Sequence, residues 1–127
     1  MLMNARTGEV IATDVELANT RETRRRGLLG RDGLDSSAAL ILIPCFSVHT
    51  AFMRFSIDVV FIDRDGIVLR VARNLEPWRV AAAWGAHAVI EMAGGATRED
   101  SICAGDRLYL AAERAPAGAA VSWPIPA

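Results

Sequence analysis

The sequence contains no lysine. Its 14 basic residues are all arginines, 15 residues are acidic, and the formal net charge is −1. The longest basic run is the triplet Arg24, Arg25 and Arg26. Arginine favours bidentate contacts with carboxylates and phosphates, but the chain is also rich in Ala and Gly, and the GC-rich codons of these three residues account for the bias. The near-neutral charge and the absence of a long basic run argue against a nucleic-acid partner.

Cysteine is scarce, and long apolar runs are missing. The two cysteines are Cys45 and Cys103, and no apolar run approaches the length of a membrane-spanning helix. The segment from Met1 to Val10 lacks the basic and then apolar stretches of a signal peptide. We therefore expect a cytoplasmic protein with two free thiols and no membrane partner. An exported protein whose leader had been removed would show the same pattern.

The residues that are present are typical of a globular domain. The chain has 127 residues, of which 52% are apolar and 23% charged, and this predicts one soluble domain. At this length roughly two-thirds of the surface of the unfolded chain is buried on folding, so neither a disulfide nor a metal is needed for stability. We expect residues 1–14 to be an N-terminal extension or first strand, residues 15–111 a single β domain, and residues 112–127, rich in Pro and Ala, a C-terminal tail.

Short apolar or alternating segments, separated by turn residues, predict a series of strands. These segments cover residues 10–18, 38–43, 48–55, 57–63, 67–73, 87–92 and 107–111. The dipeptide Asp65-Gly66 between two of them indicates a hairpin, and residues 74–85, interrupted by Pro77, are expected to be irregular. The predicted fold class is mainly β: a single-domain antiparallel β sandwich or small barrel with one short N-terminal helix.

The helix is predicted directly after the first strand. Asn19 or Thr20 is a suitable N-cap, and Gly27 or Gly30 can end the helix. The arginine triplet falls in the last turn, where positive charge is favourable to the helix dipole. This favours a solvated helix end over a phosphate clamp.

The segment from Ser47 to Asp63, "SVHTAFMRFSIDVVFID", places polar groups among large apolar residues. Asp58 begins a strand that is apolar on both faces, so its carboxylate is expected to be buried and to need a partner. Arg54, Arg79 or backbone N–H groups at the strand junction could be that partner. We expect Thr50, Arg54 and Asp58 to form a hydrogen-bonded cluster that lines a shallow cleft under the loop of Trp78 and Arg79.

The favoured interpretation of function is a non-catalytic binding module for a polar or anionic small molecule or glycan, because irregular loops over a rigid β framework commonly bind ligands. The candidate ligand-binding residues are His49, Thr50, Arg54, Asp58, Trp78 and Arg79. One alternative is a hydrolase-like or metal-dependent enzyme that uses His49 with Asp58. Another is a protein-partner or assembly domain, which would show as a large exposed apolar patch.

No catalytic residue, metal or cofactor is assigned from the sequence. A nucleophile and base pair of Cys45 and His49 lacks any local signature. A metal site drawn from His49, His87, Asp58 or Cys45 lacks the closely spaced ligand pairs that usually anchor one.

Five segments together resemble the family called domain of unknown function 192. They are "RRGLLG" (Arg25 to Gly30), "HTAFMRFSIDVVFID" (His49 to Asp63), Pro77, "VIEMAGG" (Val89 to Gly95) and "AGDRL" (Ala104 to Leu108), in the family's order and spacing. The resemblance extends over roughly Val15 to Leu108 and implies a compact, mainly antiparallel β sandwich. It implies no activity, since the family has none assigned, and the family's usual Trp-Met-Lys-Asn-Thr is replaced here by Phe52 to Ser56.

Glu91 has two interpretations. In an extended strand it projects opposite to Ile90 and Met92, which favours a position on the solvent face. The family resemblance places it in a recurring Leu-Glu-Leu-like run, which implies instead that it pairs with an arginine inside the sheet.

Overall fold

The computed structural model describes residues 1–112, so the predicted C-terminal tail lies outside the described residues except for Ala112. Strands make up 42% of the described chain and helix 5%, and the sheets do not close into a barrel. The elements in chain order are β1 (Leu2–Asn4), β2 (Val10–Ala12), β3 (Asp14–Ala18), α1 (Arg21–Arg26), β4 (Ala38–Leu42), β5 (Ser47–His49), β6 (Ile57–Ile62), β7 (Val68–Leu75), β8 (Val80–Ala82), β9 (Ala88–Ala93) and β10 (Leu108–Leu110).

The strands form three sheets, of which the largest is central. The central sheet has five strands in the order β3-β4-β9-β6-β7, the second has the order β10-β1-β2, and β5 pairs with β8. All described pairings are antiparallel except that of β3 with β4. The hairpin predicted at Asp65-Gly66 joins β6 to β7, where the Gly66 N–H donates to the carbonyl of Asp63.

Both faces of the central sheet are covered. Because successive strand residues point to opposite faces, Val60 and Ile90 pack with Leu2 and Leu108 of the three-stranded sheet, in one core. Their neighbours Val59 and Val89 face the other way, into a second core with Leu28, Val48 and Ala81. Every residue of Ile57–Ile62 is therefore buried, as expected for a strand that is apolar on both sides.

The helix α1 is short and has well-defined ends. Thr20 is its N-cap and forms a capping box with Thr23, and Gly27, at φ +46°, ends it. None of its residues is buried, so it is held by its flanks, chiefly by Leu28, which is buried in the second core. Three strands precede the helix, so it does not begin the chain.

Three of the predicted elements are wrong. The segment 10–18, expected to be one strand, is divided into β2 and β3, which lie in different sheets. The strand expected over residues 48–55 is extended only at Ser47–His49 and pairs with β8 rather than with the central sheet. The segment 74–85, expected to be irregular, contains β8. In the last two cases Thr50 decides the path, because its backbone N–H donates to the carbonyl of Arg79 while its own carbonyl accepts from Met53 and Trp78. No helix within the described residues is long and apolar enough to cross a membrane.

A candidate ligand-binding cleft over Glu91

Asp58 is part of the framework. Its side chain is fully buried and accepts hydrogen bonds from the N–H groups of Asn74 (2.8 Å), Gly95 (3.1 Å) and Thr97 (2.9 Å) and from the Thr97 hydroxyl (2.6 Å). Burial alone would raise the pKa of Asp58, but these hydrogen bonds outweigh it and lower the pKa. Of the two kinds of partner considered for this carboxylate, backbone N–H groups are confirmed, and the predicted pairing with an arginine is wrong.

The expected cluster of Thr50, Arg54 and Asp58 does not form. The buried Thr50 hydroxyl donates to the carbonyl of Glu76 (2.6 Å) and accepts from the N–H of Arg79 (2.8 Å), which ties two loops together. Arg54 reaches the surface and pairs with Asp32 at 2.5 Å. The reason is the turn after β5, which carries Arg54 away from the strand register that would have aligned it with Asp58.

Trp78 and Arg79 are exposed. The Trp78 ring contacts that of Phe52, with centroids 4.6 Å apart and planes inclined by 60°. Both aromatic residues adopt left-handed backbone angles, φ +67° and +65°, which bulky side chains rarely do. The Arg79 guanidinium lies 3.8 Å from the Glu76 carboxylate, an exposed pair that adds little stability.

His49 lies apart from its proposed catalytic partner. It is exposed on β5 and, among the described residues, makes no hydrogen bond to Asp58, Cys45 or His87. Asp58 lies on the same face of β6 as Val60, and so points into the core on the other side of the central sheet. Within residues 1–112, no three His, Cys, Asp or Glu side chains lie together in a way that could hold a metal ion.

His49 does line a cleft, between the end of α1 and β5. The cleft has a volume of about 170 Å³. Its lining residues are Arg24, Arg25, Arg26, Gly27, Leu28, Leu29, Leu42, Cys45, Ser47, Val48, His49, Met53 and Glu91. The apolar members belong to or border the second core, so the cleft is an opening into that core.

Glu91 forms the floor of the cleft. It lies on the central strand β9 between Leu40 of β4 and Val59 of β6, and only 5% of it is exposed. No described residue donates a hydrogen bond to its carboxyl group or forms an ion pair with it. Burial raises the pKa of Glu91 to about 7, with the positive charge of Arg31 acting weakly in the opposite direction.

Both interpretations of Glu91 from the sequence are therefore wrong. The carboxyl group does not face solvent, because α1 and the β5–β8 sheet cover this side of the central sheet. It is not paired with an arginine either: Arg31, the cation that influences it, forms its ion pair with Glu16 at 2.7 Å. A largely buried acid that receives no hydrogen bond from the protein is unusual. Its carboxyl oxygens keep some contact with solvent, since neither is among the fully buried unpaired atoms of the described chain.

The rim of the cleft carries the arginine triplet. The Arg24 guanidinium donates to the carbonyls of Asn19 (3.1 Å) and Ile43 (3.4 Å). Arg26 lies 3.6 Å from Glu22. Arg25 is exposed and, within the described chain, makes neither an ion pair nor a side-chain hydrogen bond.

The Cys45 thiol is a further polar group of the lining. It donates to the carbonyl of Ser47 at 3.1 Å. Burial raises its pKa, so at neutral pH it is a thiol rather than a reactive thiolate. The chemistry of the cleft is therefore that of a buried acid below a cationic rim, without an activated nucleophile.

The sequence matches the family DUF192, described as "Uncharacterized ACR", over residues 2–110. The chain belongs to this family. No curated protein matches this DUF192 chain.

Two solved structures resemble this DUF192 protein. One is a protein of unknown function from Novosphingobium aromaticivorans DSM 12444, with 27% identity and a TM-score of 0.68 over 74% of this chain and 72% of the other. The second, from Sinorhizobium meliloti 1021, carries the provisional name of a transcription regulator. It has 22% identity and a TM-score of 0.71 over 84% of this chain and 88% of the other, and at that identity it shows the fold alone.

Glu91 and the arginine triplet were not among the candidate site residues derived from the sequence of this DUF192 chain. The signal that pointed to Asp58 also applies to Glu91: one acidic residue within a short run that is otherwise apolar on both faces, "AVIEMA". Applied evenly, that criterion marks both carboxylates as buried. The arginine triplet comes near Glu91 only through the tertiary fold. Nothing in the sequence of α1 indicates that the helix ends over β9.

Proposed function

We propose that this DUF192 protein is a non-catalytic binding module for a small polar or anionic molecule held in the cleft over Glu91. The observation that carries the proposal is Glu91: the residue is 5% exposed, it lines the cleft, and no described residue donates a hydrogen bond to its carboxyl group. Its carboxyl oxygens keep some contact with solvent, since neither is among the fully buried unpaired atoms of the described chain. Burial still disfavours the charged carboxylate, and a cost of this kind is typically retained at functional sites.

The charge of the rim supports an anionic ligand. Three arginines line the cleft, against the single carboxyl group of Glu91. Guanidinium groups bind carboxylates and phosphates in bidentate geometry, and Arg25 has no partner within the described residues. The expected partner is a small molecule, and the net charge of −1 argues against nucleic acid.

The binding proposal is tested by NMR titration of the uniformly labelled protein with inorganic phosphate and with acetate. We expect saturable shifts of the amides of Gly27, Cys45 and Glu91, and none at Thr97, which lies on the other side of the central sheet. R25Q should weaken the binding, while R21Q, the same change of charge on the same helix outside the cleft, should leave it unchanged. Absence of saturable shifts at the cleft, or equal effects of the two variants, would contradict the proposal.

A second candidate function, partner binding or assembly, is favoured by exposed apolar side chains on the β5–β8 side. Phe46, Phe52, Trp78, Val80 and Trp84 are all exposed, and Trp84 is 99% exposed. Exposed apolar groups of this size in one region are typical of an interaction surface. Sedimentation equilibrium of the wild type and of W84S tests this candidate: self-association that W84S reduces supports it, and a monomer at all concentrations contradicts assembly of the protein with itself.

We also propose that the fold is a β sandwich and that the protein is cytoplasmic. The three-stranded sheet packed on the five-stranded sheet supports classification as a β sandwich. The two free cysteines support a reducing, cytoplasmic location. Cell fractionation with an antibody to the protein tests the location.

A further inference from the structure

Glu91 receives no hydrogen bond from the described residues, and its carboxyl oxygens are not fully sealed from solvent. A Cβ atom at Gly27, the residue that ends α1, would lie 3.8 Å from Glu91 Oε1. Gly27 thus leaves open the side of the carboxyl group that faces the cleft, and the apolar wall of Leu28, Leu42 and Met53 has no side-chain donor to offer. A donor to Glu91 comes from whatever occupies the cleft, water or a ligand.

A hydroxyl group fits this position better than an ammonium group. Three arginine residues line the same cleft, and their positive charge disfavours a further cation there. An ammonium group would also lose its hydration in a largely apolar cavity, and the attraction of one carboxylate often fails to compensate for that loss. A hydroxyl group can donate to Glu91, or accept from it when Glu91 is protonated, without adding charge.

Arg25 is the arginine of the cleft that is available to a ligand. This side chain lines the cleft and has no ion pair or hydrogen bond within the described part of the chain. It is free to take the bidentate geometry that a carboxylate accepts. The cleft volume of about 170 Å³ lies below the roughly 300–1,000 Å³ of pockets for drug-sized ligands, which limits the ligand to a few non-hydrogen atoms.

We infer that the cleft binds a short hydroxy acid, whose hydroxyl group bonds to the Glu91 carboxyl group and whose carboxylate binds Arg25 at the rim. The inference rests on the proposed function and specifies its ligand class. It requires both groups in one small molecule: a carboxylate alone would make no hydrogen bond to Glu91, and a hydroxyl group alone would make no ion pair with Arg25.

The test uses three probes that differ in one group: glycolate, propionate and glycine, which carry OH, CH3 and NH3⁺ on the same CH2–COO⁻ unit. NMR titration of the wild type should give an affinity for glycolate roughly five- to tenfold higher than for propionate, the range expected for one hydrogen bond. Glycine should bind more weakly than glycolate. E91Q keeps an acceptor oxygen and should keep the preference for glycolate, while E91M, of similar shape without a hydrogen-bonding group, should abolish it.

The outcomes separate the inference from the proposed function. If none of the probes binds at the cleft, both fail. If glycolate and propionate bind equally and R25Q weakens both, the binding module stands and the hydroxy acid is refuted. If glycine binds best, the site is one for amino acids and the inference is again refuted. The comparison of probes on the wild type decides the matter even if E91M does not fold, and a shift of the Glu91 carboxyl ¹³C resonance with glycolate but not with propionate locates the contact.

Discussion

Replacing Glu91 by Gln should change how the stability of the protein depends on pH. The folded state raises the pKa of Glu91 from 4.5 to about 7, mainly because the group is buried. Between these two values the folded protein holds a proton that the unfolded chain has released, so stability falls as the pH rises. Gln is neutral throughout and of nearly the same shape, so E91Q lacks this dependence.

The size of the effect follows from the interval between 4.5 and about 7. Each unit by which folding raises the pKa corresponds to about 1.4 kcal/mol. Ionisation of Glu91 therefore costs the folded state about 3 kcal/mol once the pH is above the pKa of the folded protein. At pH 5 about a quarter of this cost is present, and at pH 8 nearly all of it. Relative to the wild type, E91Q should therefore gain about 2.5 kcal/mol of stability between pH 5 and pH 8, a sizeable part of the 5–15 kcal/mol typical of a domain.

Urea denaturation of both proteins at a series of pH values measures the difference directly. The exposed Glu99 provides the matched control, and E99Q should track the wild type across the series. A difference between E91Q and the wild type that stays constant from pH 5 to pH 8 would refute the argument. It would mean that Glu91 titrates in the folded protein as it does in the unfolded chain, through water or a donor that reaches the carboxyl group.

Three further predictions concern the framework and the thiols. D58A should lose at least about 3 kcal/mol in urea denaturation, since three backbone N–H groups lose their acceptor; a loss below about 1 kcal/mol would contradict the structural role. Iodoacetamide should modify the exposed Cys103 faster than Cys45, whose thiol is partly buried with a raised pKa, and mass spectrometry that shows equal rates would count against this. G27A should cost about 1 kcal/mol or more because of the positive φ, whereas G33A, with open space around it, should be neutral in thermal unfolding.

Local features of the fold could be predicted from the sequence. Thr20 and Gly27 mark the ends of α1 by their own chemistry, and Ile57–Ile62 is marked as a covered strand by apolar residues on both faces. Both features depend on residues that are close together in the sequence. The end of β5 depends instead on the bonds of Thr50 with residues 76–79, and no pattern within 48–55 contains that information.

The candidate site escaped prediction for a related reason. Strand alternation places Glu91 opposite to Ile90 and Met92, but it does not say whether that face is covered. The cover comes from Leu28, which follows α1, and from Val48 of β5, both far from Glu91 in sequence. Whether a charged residue of the central sheet is buried is thus decided by the elements that pack on that face, and the sequence of the strand itself does not specify them.

The central sheet contains two buried carboxyl groups whose surroundings can be compared. Asp58 and Glu91 lie on adjacent strands and point to opposite faces. Asp58 receives four hydrogen bonds, and its pKa is lowered although it is fully buried. The fold is therefore able to provide hydrogen bonds to an acid at this depth, and it does so where the acid holds loops together.

Glu91 receives no hydrogen bond from the described residues and opens to a cleft with a cationic rim. Glu91 therefore lacks hydrogen bonds because of its place in the cleft, and not because the fold cannot supply donors to a buried carboxylate. A ligand that donates a hydrogen bond to Glu91 would give it a partner like those of Asp58.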